Sequence, residues 1–177
     1  MNASANPVEN HPLEGKPDFE SLFRTHYARI ARVIVRVVRD PARAEDLAVD
    51  VFWKFWRKPP PDQNGNEGGW LYRTAVRLAL DDVRKQARKS RHESSAEHGA
   101  TLTPEDVRAA SEQSLRVTQV LTSLDTRQAE LLLLRTDGLS YAEIASTLDL
   151  NPASLGTLIR RAQQAFRKEY VRKYGQP

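Results

Sequence analysis

With 177 residues, a net charge of +4 and a pI near 9.5, the chain has room for one domain or two small ones, and its modest basic excess suits a polyanionic partner without demanding one. The absence of cysteine excludes disulfides and thiolate metal sites. There is no apolar run of about eighteen residues to span a membrane and no basic-then-apolar signal at the N-terminus, so a cytoplasmic protein with no membrane insertion is expected.

Residues 1–17 hold three prolines, three asparagines and almost no large apolar side chain, a composition that cannot offset the entropy of ordering, and a disordered tail is expected. From Phe19 the apolar positions Phe19, Leu22, Phe23, Ile30, Val33, Ile34 and Val37 recur at helical spacing, with Asp18 as N-cap and Asp40-Pro41 closing the segment. Asp40 and Pro41 then start a second helix as cap and first residue. Its buried stripe is Ala44, Leu47, Ala48, Val51, Phe52 and Phe55. The opposite side gathers Asp46, Asp50, Trp53 and Arg57, and a tryptophan among acids points to a protein contact or to a ring folded back on its own domain. A catalytic pair made from Glu45, Asp46 and Asp50 has no metal ligand or nucleophile nearby to support it.

Lys58 to Gly69, with three consecutive prolines and three glycines, reads as a loop. The stretch Trp70 to Arg91 that follows is the most informative in the chain. At about 100° per residue, Tyr72, Val76, Ala79, Leu80, Val83 and Ala87 fall on one side. Trp70, Arg73, Arg77, Arg84, Arg88 and Arg91 form a neighbouring stripe, with Asp81 close to it. Guanidinium groups headed by a flat ring are what a nucleic-acid surface needs, for phosphates and for stacking on an unpaired base. A solvated basic face is the alternative. These three helices would bury their apolar stripes together as a small bundle.

Residues 90–103 are polar and aperiodic, as in an interdomain linker. His92, Glu93, Glu97 and His98 lie there, but the histidines stand six apart rather than on one helix face, and neither a metal nor a cofactor is expected. Thr103-Pro104-Glu105-Asp106 starts a helix running to about Thr122. Asp125 opens another through Leu131 to Leu134, ended by Gly138 in a left-handed conformation. Ser140 with Glu143 is a capping box for a short helix with Tyr141, Ile144, Ala145 and Leu148 on its apolar face. Asn151-Pro152 restarts the chain into a long helix with Leu155, Ile159, Ala162, Phe166 and Tyr170 inward. Two helices joined by a three-residue turn, the second ending basic, fit either a DNA-binding helix-turn-helix or an ordinary helical hairpin. Ser154, Thr157, Arg160, Arg161, Gln164 and Lys168 line the outer face of the second helix, able to meet phosphates and base edges.

PARAEDLAVDVFWKFW followed by GGWLYRTAVRLALDDVRK resembles the second region of bacterial sigma-70-family sigma factors, and LTSLDTRQAELLLLRTDGLSYAEIASTLDLNPASLGTLIRRAQQAFRK resembles the fourth. With only those two domains and no third between them, the chain resembles the extracytoplasmic-function (ECF) group. The expected fold is therefore all-α, with a tail at 1–17, a three-helix-type N-terminal bundle at 18–91, a flexible linker at 92–111 and a helix-turn-helix domain at 112–174. The resemblance implies a non-enzymatic role in transcription initiation, with core RNA polymerase, promoter DNA and an anti-sigma factor as partners. It implies polymerase binding by Asp46, Leu47, Asp50 and Trp53. It places recognition and melting of the minus-ten element on Trp70, Arg73, Arg77, Arg84, Lys85 and Arg88, and reading of the minus-thirty-five element on Ser154, Thr157, Arg160, Arg161 and Gln164. Two departures imply a distinct promoter preference: Arg77 stands where the family commonly has asparagine, and Gly156, Thr157 and Leu158 replace a usual lysine, serine and arginine. Without the resemblance, a stand-alone helix-turn-helix regulator, a sigma-like polymerase-binding decoy and a metal-dependent nuclease would all remain open.

Overall fold

The structure, a computed structural model, describes residues 18–60, 66–93 and 105–176, with side chains defined at 18–60, 66–89 and 112–176. The expected tail, the middle of the linker, the Thr103 cap and the side chains of His92, Glu93, Glu97 and His98 fall outside the described residues. Among the described residues every regular element is a helix: α1 (Phe19–Val38), α2 (Pro41–Arg57), α3 (Glu67–Glu93), α4 (Glu105–Leu121), α5 (Thr126–Thr136), α6 (Tyr141–Leu148) and α7 (Pro152–Tyr174).

Local chemistry sets most of the boundaries. Asp18 and Asp40 accept hydrogen bonds from the Glu20 and Arg43 amides, and Pro41 opens α2 where a missing N–H leaves no bond unmade. Asp125 and Asn151 cap α5 and α7 through the Arg127 and Ala153 amides at 2.9 Å each. Ser140 and Glu143 form the reciprocal capping box, whose hydrogen bonds from the Ser140 side chain and amide hold the Glu143 carboxyl below the usual range. Gly138 ends α5 with φ of 79°, the left-handed geometry glycine adopts without strain.

The third helix begins earlier than its breaker residues suggest. Asn66 caps it, accepting the Gly69 amide at 3.0 Å on its side chain and the Trp70 amide at 3.1 Å on its carbonyl, so Gly68 and Gly69 lie in the first turn of α3. A polar cap adjacent to the glycines outweighs their helix-breaking tendency.

The first unit is α1, α2 and α3 packed around Ile30, Val33, Ile34, Val37, Leu47, Phe52, Leu71, Tyr72, Val76 and Leu80, all buried. The second packs α4 to α7 around Leu131, Leu134, Ile144, Leu148, Leu155 and Ile159. The two cores are contiguous, because α3 also touches α5 and α6. Two expected core positions are corrected. Ala87 is exposed, since α3 has by then run past its bundle partners. Tyr141 is 47% exposed, at the first position of α6, with the Arg135 guanidinium 5.6 Å from its ring centre.

Asp82 is a buried carboxylate in α3 that the helical pattern does not single out. Arg43 of α2 reaches it with two nitrogens, at 2.6 and 3.0 Å, and Gln86 donates to its other oxygen at 2.8 Å. This pair ties the start of α2 to the middle of α3. Asp82→Ala strands the Arg43 guanidinium, which is half exposed and rehydrates in part. The expected loss is about 2 kcal/mol, read as a lower urea midpoint at unchanged slope.

Candidate nucleic-acid interface

Three surfaces carry the candidate residues. On α2, Asp46, Asp50 and Trp53 are exposed, with Trp53 at 57%. Leu47, expected beside them, is buried at 4% and belongs to the bundle core. Trp56, not singled out from the sequence, is 47% exposed and sets its ring edge-on to Phe19 at 5.2 Å.

Between the end of α2 and the start of α3 lies a cleft of about 750 Å³ lined by Asp50, Trp53, Lys54, Arg57, Lys58 and Trp70. Trp70 is held edge-on against Phe55 at 5.5 Å, which fixes one wall. Two indoles and three cations around one opening can receive a flat ring and the phosphates on either side of it. The sequence places Trp53 and Arg57 on one face of the second helix and Trp70 at the head of the third; Lys54 and Lys58 were missed, although their place beside Trp53 and at the mouth of the loop was the available signal.

The basic edge of α3 divides into two parts. Lys85 and Arg88 are exposed. Arg73, Arg77 and Arg84 instead reach the second unit. Arg73 donates to the Thr147 carbonyl at 2.7 Å and to Asp149 at 3.0 Å, at the C-terminal end of α6, with its side chain only 18% exposed. Arg84 donates to the Thr122 and Leu124 carbonyls just past α4, at 3.0 and 3.5 Å, and to Asp81 at 3.2 Å. Arg77 lies 3.4 Å from Glu130 of α5, which is 1% exposed and also faces Arg127. Burial pushes the Glu130 carboxyl above the usual range, against the opposing pull of Arg77, Arg127 and Arg73.

On α7, Ser154, Thr157, Arg160, Arg161 and Gln164 are all exposed on the helix that follows the α6–α7 turn, as a helix-turn-helix requires. Gly156 is exposed as well, and a methyl group there would meet only the Tyr141 ring at 3.8 Å, so packing does not demand a glycine. Leu158 is half buried against the core.

Exposure separates contact residues from packing residues by experiment. Leu47→Ala is expected to cost about 3 kcal/mol of stability, whereas Trp53→Ala stays within about 0.5 kcal/mol; chemical denaturation of both variants checks the contrast.

Among the described residues no group of three or more His, Cys, Asp or Glu could hold a metal, and no helix is long and apolar enough to cross a membrane. The model of sigma-70 region 2 matches residues 22–89, and that of sigma-70 region 4 matches 114–165. The ECF RNA polymerase sigma factor SigK of Mycolicibacterium vanbaalenii is 32% identical, over 85% of this chain and 80% of that one. The ECF sigma factor SigE of Mycolicibacterium smegmatis is 30% identical over 89% of this chain, which spans 63% of that relative. Among solved structures, the sigma factor RpoE of Bartonella quintana, crystallised with the anti-sigma factor NepR, shares the fold with a TM-score of 0.51 at 19% identity, covering 86% of this chain and 96% of that one. With both region models matched in order and a relative aligned over most of its length, the chain belongs to the ECF group of the sigma-70 family of RNA polymerase sigma factors.

Proposed function

We propose that this chain binds core RNA polymerase through the exposed α2 face of Asp46, Asp50 and Trp53 and directs it to promoters. The basic edge of α3, through Trp70, Arg73, Arg77, Arg84, Lys85 and Arg88, holds the minus-ten strand. The outer face of α7, through Ser154, Thr157, Arg160, Arg161 and Gln164, reads the minus-thirty-five element as duplex. The observation that carries the reading is the cleft where Trp53 and Trp70 meet Lys54, Arg57 and Lys58 beside that acidic face. Opening the duplex needs no fuel, because a lost stacking step costs about 1.4 kcal/mol and stacking on an aromatic ring returns about 1–3 kcal/mol per base. The role is that of an initiation factor rather than an enzyme, exercised in the cytoplasm where polymerase meets the chromosome.

An anti-sigma factor is the proposed regulator. A groove of about 930 Å³ between the units offers an apolar floor of Val117, Leu121, Leu132 and Phe166, with Arg36, Arg39 and Arg135 around it. That combination fits an acidic amphipathic helix.

Purified chain with bacterial core polymerase is expected to start transcripts at defined sites on a library of genomic promoter fragments, the starts sharing an upstream sequence. Asp50→Arg is expected to weaken core binding at unchanged fold. Polymerase binding without transcripts would favour a decoy, and no binding would favour a stand-alone DNA-binding protein. Replacing Lys85 and Arg88 together by alanine removes two cations that are exposed on α3. Open-complex formation is expected to fall, and the slope of log affinity against log salt to flatten by about 1.5. An unchanged slope would remove these residues from the DNA interface.

A further inference from the structure

The first turn of α3 rests on a histidine. His26 of α1 is half buried, and its imidazole lies so close to that turn that a methyl group on Gly68 would stand 2.7 Å from Cε1 and 3.3 Å from both ring nitrogens. The backbone at Gly68 is not left-handed, so its conformation does not call for glycine. The approach of the ring does, since alanine would suit the helix better.

Two residues further on is Trp70, one wall of the cleft. At about 100° per residue, Gly68 and Trp70 point to nearly opposite sides of the helix. The turn is thus held between His26 on one side and Phe55 on the other, where Phe55 meets the Trp70 ring edge-on at 5.5 Å. Asn66 holds the same turn along the helix axis, accepting the Gly69 amide at 3.0 Å and donating to the Ser146 carbonyl at 2.6 Å.

The imidazole is neutral in this place. Burial and the neighbouring Arg29 of α1 hold it below the usual histidine range, with Glu67 of α3 pulling the other way. The amide end of α3, the positive pole of that helix, adds to the preference for the uncharged ring.

We infer that His26 is a positioning residue for the cleft: its imidazole, set against Gly68, fixes how far the Trp70 ring stands from Trp53 and so whether a base fits between them. The inference rests on the reading of that cleft as the seat of an unpaired base. His26 acts through Gly68 and Trp70, not by contact with the strand.

The chain has three tryptophans, Trp53, Trp56 and Trp70, so fluorotryptophan incorporation gives one fluorine resonance for each, and Trp70→Phe assigns the wall. Open complexes are measured with core polymerase and the full chain, by permanganate reactivity of unpaired thymines on a promoter fragment at which the chain starts transcripts. His26→Ala empties the contact and Gly68→Ala overfills it. Each is expected to move the Trp70 resonance and to lower the open-complex yield about tenfold, the worth of one stacked base, with core binding unchanged. Alanine is the better helix former, so a loss in Gly68→Ala comes from the contact. In the double variant the methyl group takes space the ring has left. The Trp70 resonance is then expected to return toward its parent position and the yield to within about threefold of the parent.

Acidification tests the same contact without a substitution. Below the ordinary histidine value of about 6.5, an imidazolium faces Arg29 and the positive end of α3, with Glu67 opposing. Because the folded value is the lower one, the support is complete at neutral pH and is lost as pH falls. The Trp70 resonance is expected to move on acidification in the parent and to stay in place in His26→Gln.

A Trp70 resonance unmoved by His26→Ala would overturn the positioning role. So would a lost yield that the double variant fails to restore, since the loss would then belong to the fold of α1. A displaced Trp70 with open complexes at the parent yield would overturn the reading of the cleft as a base seat, and the part of His26 in it.

Discussion

The rotation of α3 about its own axis is the constraint on which the other features depend. Leu71, Tyr72, Ala75, Val76, Ala79 and Leu80 are buried almost completely, and at about 100° per residue they leave the helix no freedom to turn. The adjoining stripe of Trp70, Arg73, Arg77 and Arg84 must then emerge along one fixed line. Arg43 locked onto Asp82 sets the same rotation from the α2 side. The basic edge is thus aimed by the core, and whatever meets it, a helix end or a nucleic acid, meets a rigid row of cations.

The contact between the units is strong in number and weak in kind. Arg77 and Arg36 are about half exposed, and such ion pairs are worth about 0–1 kcal/mol each. Arg73 is better shielded and bonds both a carbonyl and a carboxylate, so it holds more, but both of its partners sit at one helix end. Glu130 faces Arg77 across the contact, with its carboxyl pushed above the usual range by burial. A contact assembled from partly hydrated charges is sensitive to salt and yields to a competing polyanion. Those are properties of a latch, whereas the packing of α1 against α3 through Ile30, Val33, Ile34, Val37, Leu71, Val76 and Leu80 is the permanent part of the fold.

How far the fold could be read from the sequence follows from the range of each interaction. Caps act over two or three residues, and so Asp18, Asp40, Asp125, Ser140, Asn151 and Gly138 announced their helices in the sequence itself. The stripes of α1, α2 and α3 were equally plain. Asn66 was not read as a cap, because the glycines and prolines around it dominate the local composition. The Arg43–Asp82 pair spans 39 residues, and the Arg73–Asp149 pair 76, separations at which no periodicity carries information. Ala87 and Tyr141 show the same limit from the other side: periodicity assigns a face, but only the partner helix decides whether that face is covered. Leu47 belongs by periodicity to the core stripe and by resemblance to the polymerase surface, and at 4% exposure its side chain packs in the core.

The same limit governs the candidate site. The residue types of the α3 stripe declared an affinity for anions, and the sequence could not say which anions would take it first. Helix ends supply partial charges that leave no mark in composition; Thr122, Leu124, Ser146 and Thr147 act here through their backbone carbonyls, which every residue possesses. A surface of this kind is invisible until the chain is folded, because it is made by where helices stop. The stops themselves were legible, in Asp125 after α4 and Asp149 after α6, and the carbonyls that receive Arg84 and Arg73 lie within three residues of those two positions. Sequence signals that terminate the helices of the second unit therefore also locate its negative poles, and a basic stripe elsewhere in the chain has a calculable place to dock before any nucleic acid arrives.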